Sequence, residues 1–72
     1  MYEIEYYVEV DEGSPMYYRV DSNHLPRSDD DVTLDGINYK VISVNHILNT
    51  NKNVYAGATV DEKFIVTVQK RK

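Results

Sequence analysis

The sequence predicts an all-β fold, a single small antiparallel barrel of about five strands spanning residues 1–72. Three observations carry this reading. Residues 2–10 alternate apolar and polar without a break. Asp35-Gly36 sits between two β-prone runs. Short strand-like segments recur along the chain with turn residues between them, and none has helical periodicity.

The first strand is the clearest. Tyr2, Ile4, Tyr6, Val8 and Val10 fall on one side of an extended chain, and Glu3, Glu5, Tyr7 and Glu9 on the other. Strand side chains have a period of two, so one face is apolar and the other acidic. Asp11-Glu12-Gly13-Ser14-Pro15 is turn chemistry. Met16 to Val20 then returns as a second strand with Met16, Tyr18 and Val20 inward, making an antiparallel hairpin.

Asp21 to Asp31 is a polar connection containing Pro26, which has no N–H for a ladder. Val32-Thr33-Leu34 and Ile37 to Val41 flank Asp35-Gly36 as a second hairpin, because a type I′ turn needs positive φ at both central residues. The run from Lys40 to Leu48 changes phase between Val41 and Ile42. A bulge, or cover on both faces, accounts for that. Asn49 to Asn53 reads as a turn, Val54 to Val60 as a β-prone stretch bent at Gly57, and Asp61-Glu62-Lys63 as a further turn. Phe64, Val66 and Val68 point inward on the last strand, with Ile65, Thr67 and Gln69 outward. Lys70-Arg71-Lys72 is expected to fray as a solvated basic tail.

A chain of 72 residues has room for one domain and a limited core. It has no cysteine, which excludes disulfides, thiol catalysis and cysteine-ligated zinc. The opening Met1-Tyr2-Glu3-Ile4-Glu5 lacks the basic and apolar regions of a leader peptide, and no apolar run reaches bilayer length. The expectation is a complete, cytoplasmic product with no membrane association. Net charge is −4. Residues 1–36 hold ten acids against Arg19 and Arg27, whereas residues 37–72 hold six bases against Asp61 and Glu62.

Leu25-Pro26-Arg27, Asp30, Val32, Leu34-Asp35-Gly36, Tyr39, Val41, Val44 and His46 together form a pattern that resembles small stand-alone SH3-like β-barrel proteins of bacteria and phages. In that pattern a Gly-Asp pair often precedes the first barrel strand, and Asp29-Asp30 stands there in this chain. The resemblance covers the middle third and implies an SH3-like barrel and no chemistry.

Candidate chemistry is sparse. His24 and His46 belong to no ligand pair of metal-site spacing. Ser28-Asp29-Asp30-Asp31 lacks the spaced oxygen ligands of a calcium loop and reads as a solvated acidic loop. The serines lie in no nucleophile elbow, and so short a chain is not expected to wall a ligand-sized cavity. No enzyme, cofactor or metal is expected. Of the seven tyrosines, Tyr6, Tyr18 and Tyr39 are assigned to the core. Tyr7 and Tyr17 point to the opposite face, where they can stack on each other or on Arg19.

The functional expectation is a non-enzymatic protein-binding module using Glu3, Glu5, Tyr7, Glu9, Tyr17 and Arg19, with a partner that carries a basic surface. A phage-type inhibitor that occludes a basic surface on a host or defence enzyme is one such role. One alternative is a nucleic-acid-binding barrel using Lys40, Lys52, Lys63 and the basic tail, with Tyr39 or Tyr55 as a stacking platform. The net charge disfavours it. Another is a structural homodimer built by pairing the exposed edge of the first strand.

Overall fold

The alternation at the N-terminus becomes strand β1 (Tyr2–Glu9) of a computed structural model that describes residues 1–10, 13–50 and 59–71. Ile4, Tyr6 and Val8 are buried, and Glu3, Glu5 and Tyr7 are half-buried on the other face. Tyr2 and Val10 share the inward phase but lie at the strand ends and stay partly exposed. Strand β2 (Met16–Ser22) pairs antiparallel with β1, placing Tyr6 opposite Tyr18 and Tyr7 opposite Tyr17.

The connection that follows crosses back over the core, onto which Leu25 packs. Its last turn is fixed by local polar chemistry. The Arg27 N–H donates to Asp30 Oδ2 at 2.8 Å, and the Asp30 N–H donates to the Arg27 carbonyl at 3.1 Å. Asp29 takes a φ of 74°, a left-handed conformation that short polar side chains tolerate better than most. Its N–H then reaches the Val41 carbonyl at 2.9 Å, and the Val41 N–H reaches the Asp30 carbonyl at 2.9 Å.

Strands β3 (Asp31–Leu34) and β4 (Ile37–Thr50) form the second hairpin. Asp35 and Gly36 have φ of 51° and 80°, as the Asp-Gly signal requires. The phase change in β4 is a bulge: Val41 opposes Val68 but Ser43 opposes Thr67, and Ile42 is extruded and partly exposed. Tyr39 and Val41 therefore point inward before the bulge, and Val44 after it.

Strand β5 (Thr59–Lys70) lies at the centre of the sheet, whose order is β2-β1-β5-β4-β3. The protein is all-β, a five-stranded mixed sheet curled into a half-barrel. Three pairings are antiparallel; β1 and β5 run parallel, with Ile4 opposite Phe64, Tyr6 opposite Val66 and Val8 opposite Val68. Hairpin signals report neighbours in sequence, so they carry no trace of this pairing between the two ends of the chain. Ile4, Tyr6, Val8, Tyr39, Val41, Phe64, Val66 and Val68 make the core on the concave face. Tyr18, placed in the core from sequence, is only partly buried and packs against it from β2.

Several expectations are corrected. Asn49 and Thr50 belong to β4, and Asp61-Glu62-Lys63 to β5, where turns were expected. Polar residues survive in these strands because they pair across the ladder: Asn49 opposes Asp61 and His46 lies within 2.9 Å of Glu62. The β4–β5 hairpin thus continues past the end of β1, and the molecule is 48 Å long. The bend expected at Gly57 and the turn at Asn51–Asn53 lie outside the described residues. The basic tail is not free at Arg71, whose N–H donates to the Asn38 carbonyl at 3.1 Å and whose Nε bonds the Asp31 carboxylate. Finally, β1 is hydrogen-bonded on both sides, so a dimer through its edge has no edge to use. Among the described residues the open edges are β2 and β3.

No ladder joins β2 to β3 among the described residues; there Tyr18 on β2 lies near the carboxylate of Asp35 in the β3–β4 turn. Partial desolvation raises the Tyr18 pKa above 10.0, and Asp35 and Tyr39 add to the rise. Burial alone raises that of Tyr6.

Three outcomes are expected. Ile4→Ala removes a fully buried side chain from the parallel pair and should cost about 2–5 kcal/mol. Gly36→Ala meets no atom within 4 Å, so its cost of about 1 kcal/mol comes from backbone strain alone. Urea unfolding checks both, and an unchanged Gly36→Ala midpoint would contradict the type I′ turn. The third outcome concerns alkaline pH. A raised folded-state pKa of a phenol gives stability that is complete below the unfolded value and lost as pH rises through the folded one. Tyr18→Phe should therefore shift alkaline unfolding to higher pH, with little gain below pH 10, as followed by circular dichroism.

Candidate protein-binding face

The alternation of β1 and β2 decides the geometry of the convex face. Glu3, Glu5, Tyr7 and Glu9 project from β1 on the side away from the core. The β2 residues opposite them are Asp21, Arg19 and Tyr17. On the other flank β5 supplies Ile65 beside Glu5, Thr67 beside Tyr7 and Gln69 beside Glu9. All six residues singled out from sequence thus share one face. Tyr7 is its middle, flanked by Tyr17 and Thr67.

The two tyrosines meet edge to face, with ring centroids 5.1 Å apart and planes at 63°. Tyr17 lies on an edge strand and is 60% exposed, whereas Tyr7 is half-buried by its neighbours on both sides. The result is a rigid aromatic ridge whose outer ring is available for contact. Cross-strand packing fixes both rings in advance, so less side-chain entropy remains to be lost on binding.

The carboxylates are not equivalent. Glu5 opposes Arg19 in the ladder, but its Oε2 lies 3.7 Å from Lys63 Nζ on β5. That pair is partly screened from water and contributes about 0.2–1 kcal/mol, in the range of exposed ion pairs. Glu5 is therefore half committed to holding the sheet. Glu9 is exposed, and Glu3 sits near the far end of the strand. Counting Glu3, Glu5, Glu9 and Asp21 against Arg19 and Lys63, the face keeps an acidic balance. Ile65 and Thr67 were missed as parts of this face because their outward phase is legible but their neighbour strand is not, and Lys63 because its composition reads as a turn.

The other candidates are dispersed. His24 lies in the β2–β3 connection, its N–H donating to Ser22 Oγ at 3.1 Å. His46 lies on β4, stacked on Phe64 at 4.4 Å and 9°, with Nε2 2.9 Å from Glu62. Tyr2 meets the same phenyl ring edge-on at 5.4 Å. No group of three or more His, Cys, Asp or Glu forms among the described residues. The three aspartates are structural rather than merely solvated: Asp29 pairs with Lys40 at 3.4 Å, Asp30 caps the Arg27 turn and Asp31 holds Arg71.

At the end of the half-barrel near the β1–β2 turn, Val8, Val10, Met16, Ile37 and Tyr39 line a groove of about 830 Å³ that is wide open to solvent. The cations named for a nucleic-acid surface are partly neutralised, Lys40 by Asp29 and Lys63 by Glu5. Tyr39 is buried and cannot serve as a stacking platform. Lys52, Tyr55 and Lys72 lie outside the described residues. No helix among the described residues is long and apolar enough to cross a membrane.

A double-mutant cycle with Tyr7→Ala and Tyr17→Ala should return a coupling of about 0.5–1.5 kcal/mol in urea unfolding. Additive effects would mean that the rings do not meet. Comparison with protein-family models, characterised proteins and solved structures yields no match for the chain.

Proposed function

We propose that this protein is a non-enzymatic protein-binding module of the SH3-like kind, acting in the cytoplasm through the convex face of β1 and β2. The observation that carries the reading is the Tyr7–Tyr17 pair, pre-packed, exposed at Tyr17 and set among carboxylates. Tyrosine gives large contact area with few rotatable bonds and a polar tip, which suits the centre of an interface. Glu3, Glu9 and the partly engaged Glu5 steer a partner with a basic surface, and Arg19 sets register at the rim. An acidic face with a central aromatic pair fits an inhibitor of phage type that occludes a basic surface on a host or defence enzyme.

The test is capture from nuclease-treated lysate of the source cells and their natural host. Wild type should retain one stoichiometric protein with a basic surface. The variant Tyr17→Ala/Glu9→Lys, altered only at exposed positions, should lose it at least tenfold while keeping the wild-type circular dichroism spectrum and a cooperative unfolding transition. Equal capture by both would remove this face from the function. Partners that vanish on nuclease treatment would favour the nucleic-acid alternative, whose binding should fall steeply with salt.

A further inference from the structure

The two open edges of the sheet are unlike. β3 has four residues, and its inward side chains Val32 and Leu34 are packed against the core. β2 has seven, and it leaves Met16, Tyr17 and Val20 exposed at 45%, 60% and 36%. Natural edge strands are usually blunted by lysine, proline, a bulge or an inward charge. β2 has none of these between Met16 and Ser22: its register with β1 is unbroken and both its charges, Arg19 and Asp21, lie on the convex side. Its inward row Met16, Tyr18 and Val20 ends where the half-barrel is open.

We propose that β2 is the homodimer edge of this protein, pairing antiparallel with β2 of a second copy about a two-fold axis at Tyr18. In that register Met16 lies opposite Val20 of the second copy, and Val20 opposite its Met16, so both exposed inward residues are covered twice over. Tyr18 faces its own copy on the axis. On the convex side Tyr17 lies opposite Arg19 and Arg19 opposite Tyr17, a cation over an aromatic ring on each side of the axis. An axis at Arg19 sets two guanidinium groups directly opposite each other. An axis at Val20 pairs Arg19 with Asp21 but sends Met16 past the end of the strand, opposite His24. Exposed ion pairs contribute little, whereas covering apolar side chains is the main driving force for association. Each copy carries −4, yet the edge itself contributes one Arg and one Asp, so charge does not oppose the contact. The pairing uses the strand edge, and it also covers Tyr17 and Arg19 at the rim of the convex face, so the dimer leaves Glu3, Glu5, Tyr7 and Glu9 as the part of that face free for a partner.

The chain has no cysteine, which makes the register directly testable. Oxidising a mixture of Tyr17→Cys and Arg19→Cys chains should give the mixed disulfide dimer, several-fold above either variant alone. Sedimentation equilibrium should show a wild-type dimer, and Val20→Lys, which sets a charge on the inward side of the edge, should be monomeric. Thr33→Lys on the opposite edge should remain dimeric. Circular dichroism checks that Val20→Lys folds; if it does not, the disulfide experiment decides alone. A wild-type monomer at about 1 mM overturns the proposal. Preferential cross-linking of Arg19→Cys with Asp21→Cys, or a dimer with no 17–19 disulfide, overturns the Tyr18 axis.

Discussion

The parallel ladder between β1 and β5 is the contact on which everything else rests. Without it the chain is a β1–β2 hairpin and a separate β3–β4–β5 meander, and an isolated two-stranded hairpin is marginal in water. Ile4, Tyr6 and Val8 on one side and Phe64, Val66 and Val68 on the other supply most of the core, and they belong to opposite ends of the sequence. Closing so long a loop costs entropy before any contact repays it. The burial of these six side chains, together with Tyr39 and Val41, must supply that return. The same ladder also sets the convex face, because it places Lys63 against Glu5 and Thr67 against Tyr7.

What the sequence made legible was local. Strict alternation assigned both faces of β1, and the facing of Tyr7 with Tyr17 followed from pairing it to β2. Asp35-Gly36 specified its turn, and the loss of phase at Val41 and Ile42 marked a true bulge. Polar residues within strands were not legible. Asp61, Glu62 and Lys63 look like a turn by composition, and only their cross-strand partners Asn49, Leu48 and Ile47 explain the strand. Nor does composition reveal that Asp29 and Asp31 are tied to Lys40 and Arg71, since both ties depend on tertiary placement; only the Asp30 tie to Arg27 is local. Within the candidate site, the six residues were visible as two phases of two strands. The engagement of Glu5 by Lys63 was not, because it crosses the parallel ladder.

Asp29 shows how a small sheet is finished with few residues. Its left-handed conformation lets the connection turn onto Val41 of β4, so the residues just before β3 extend its hydrogen bonding with β4. A polar side chain serves there because the position stays exposed, where desolvation costs little.

The central position of β5 also has a consequence for synthesis. A ribosome delivers β1 first and β5 last, and residues still inside the exit tunnel cannot pair. Until β5 has left the tunnel, β1 keeps one side of its backbone unsatisfied and half of the future core uncovered. The native sheet therefore closes only with its fifth strand rather than by gradual accretion. Loss of β5 removes not an appendage but the middle of the sheet.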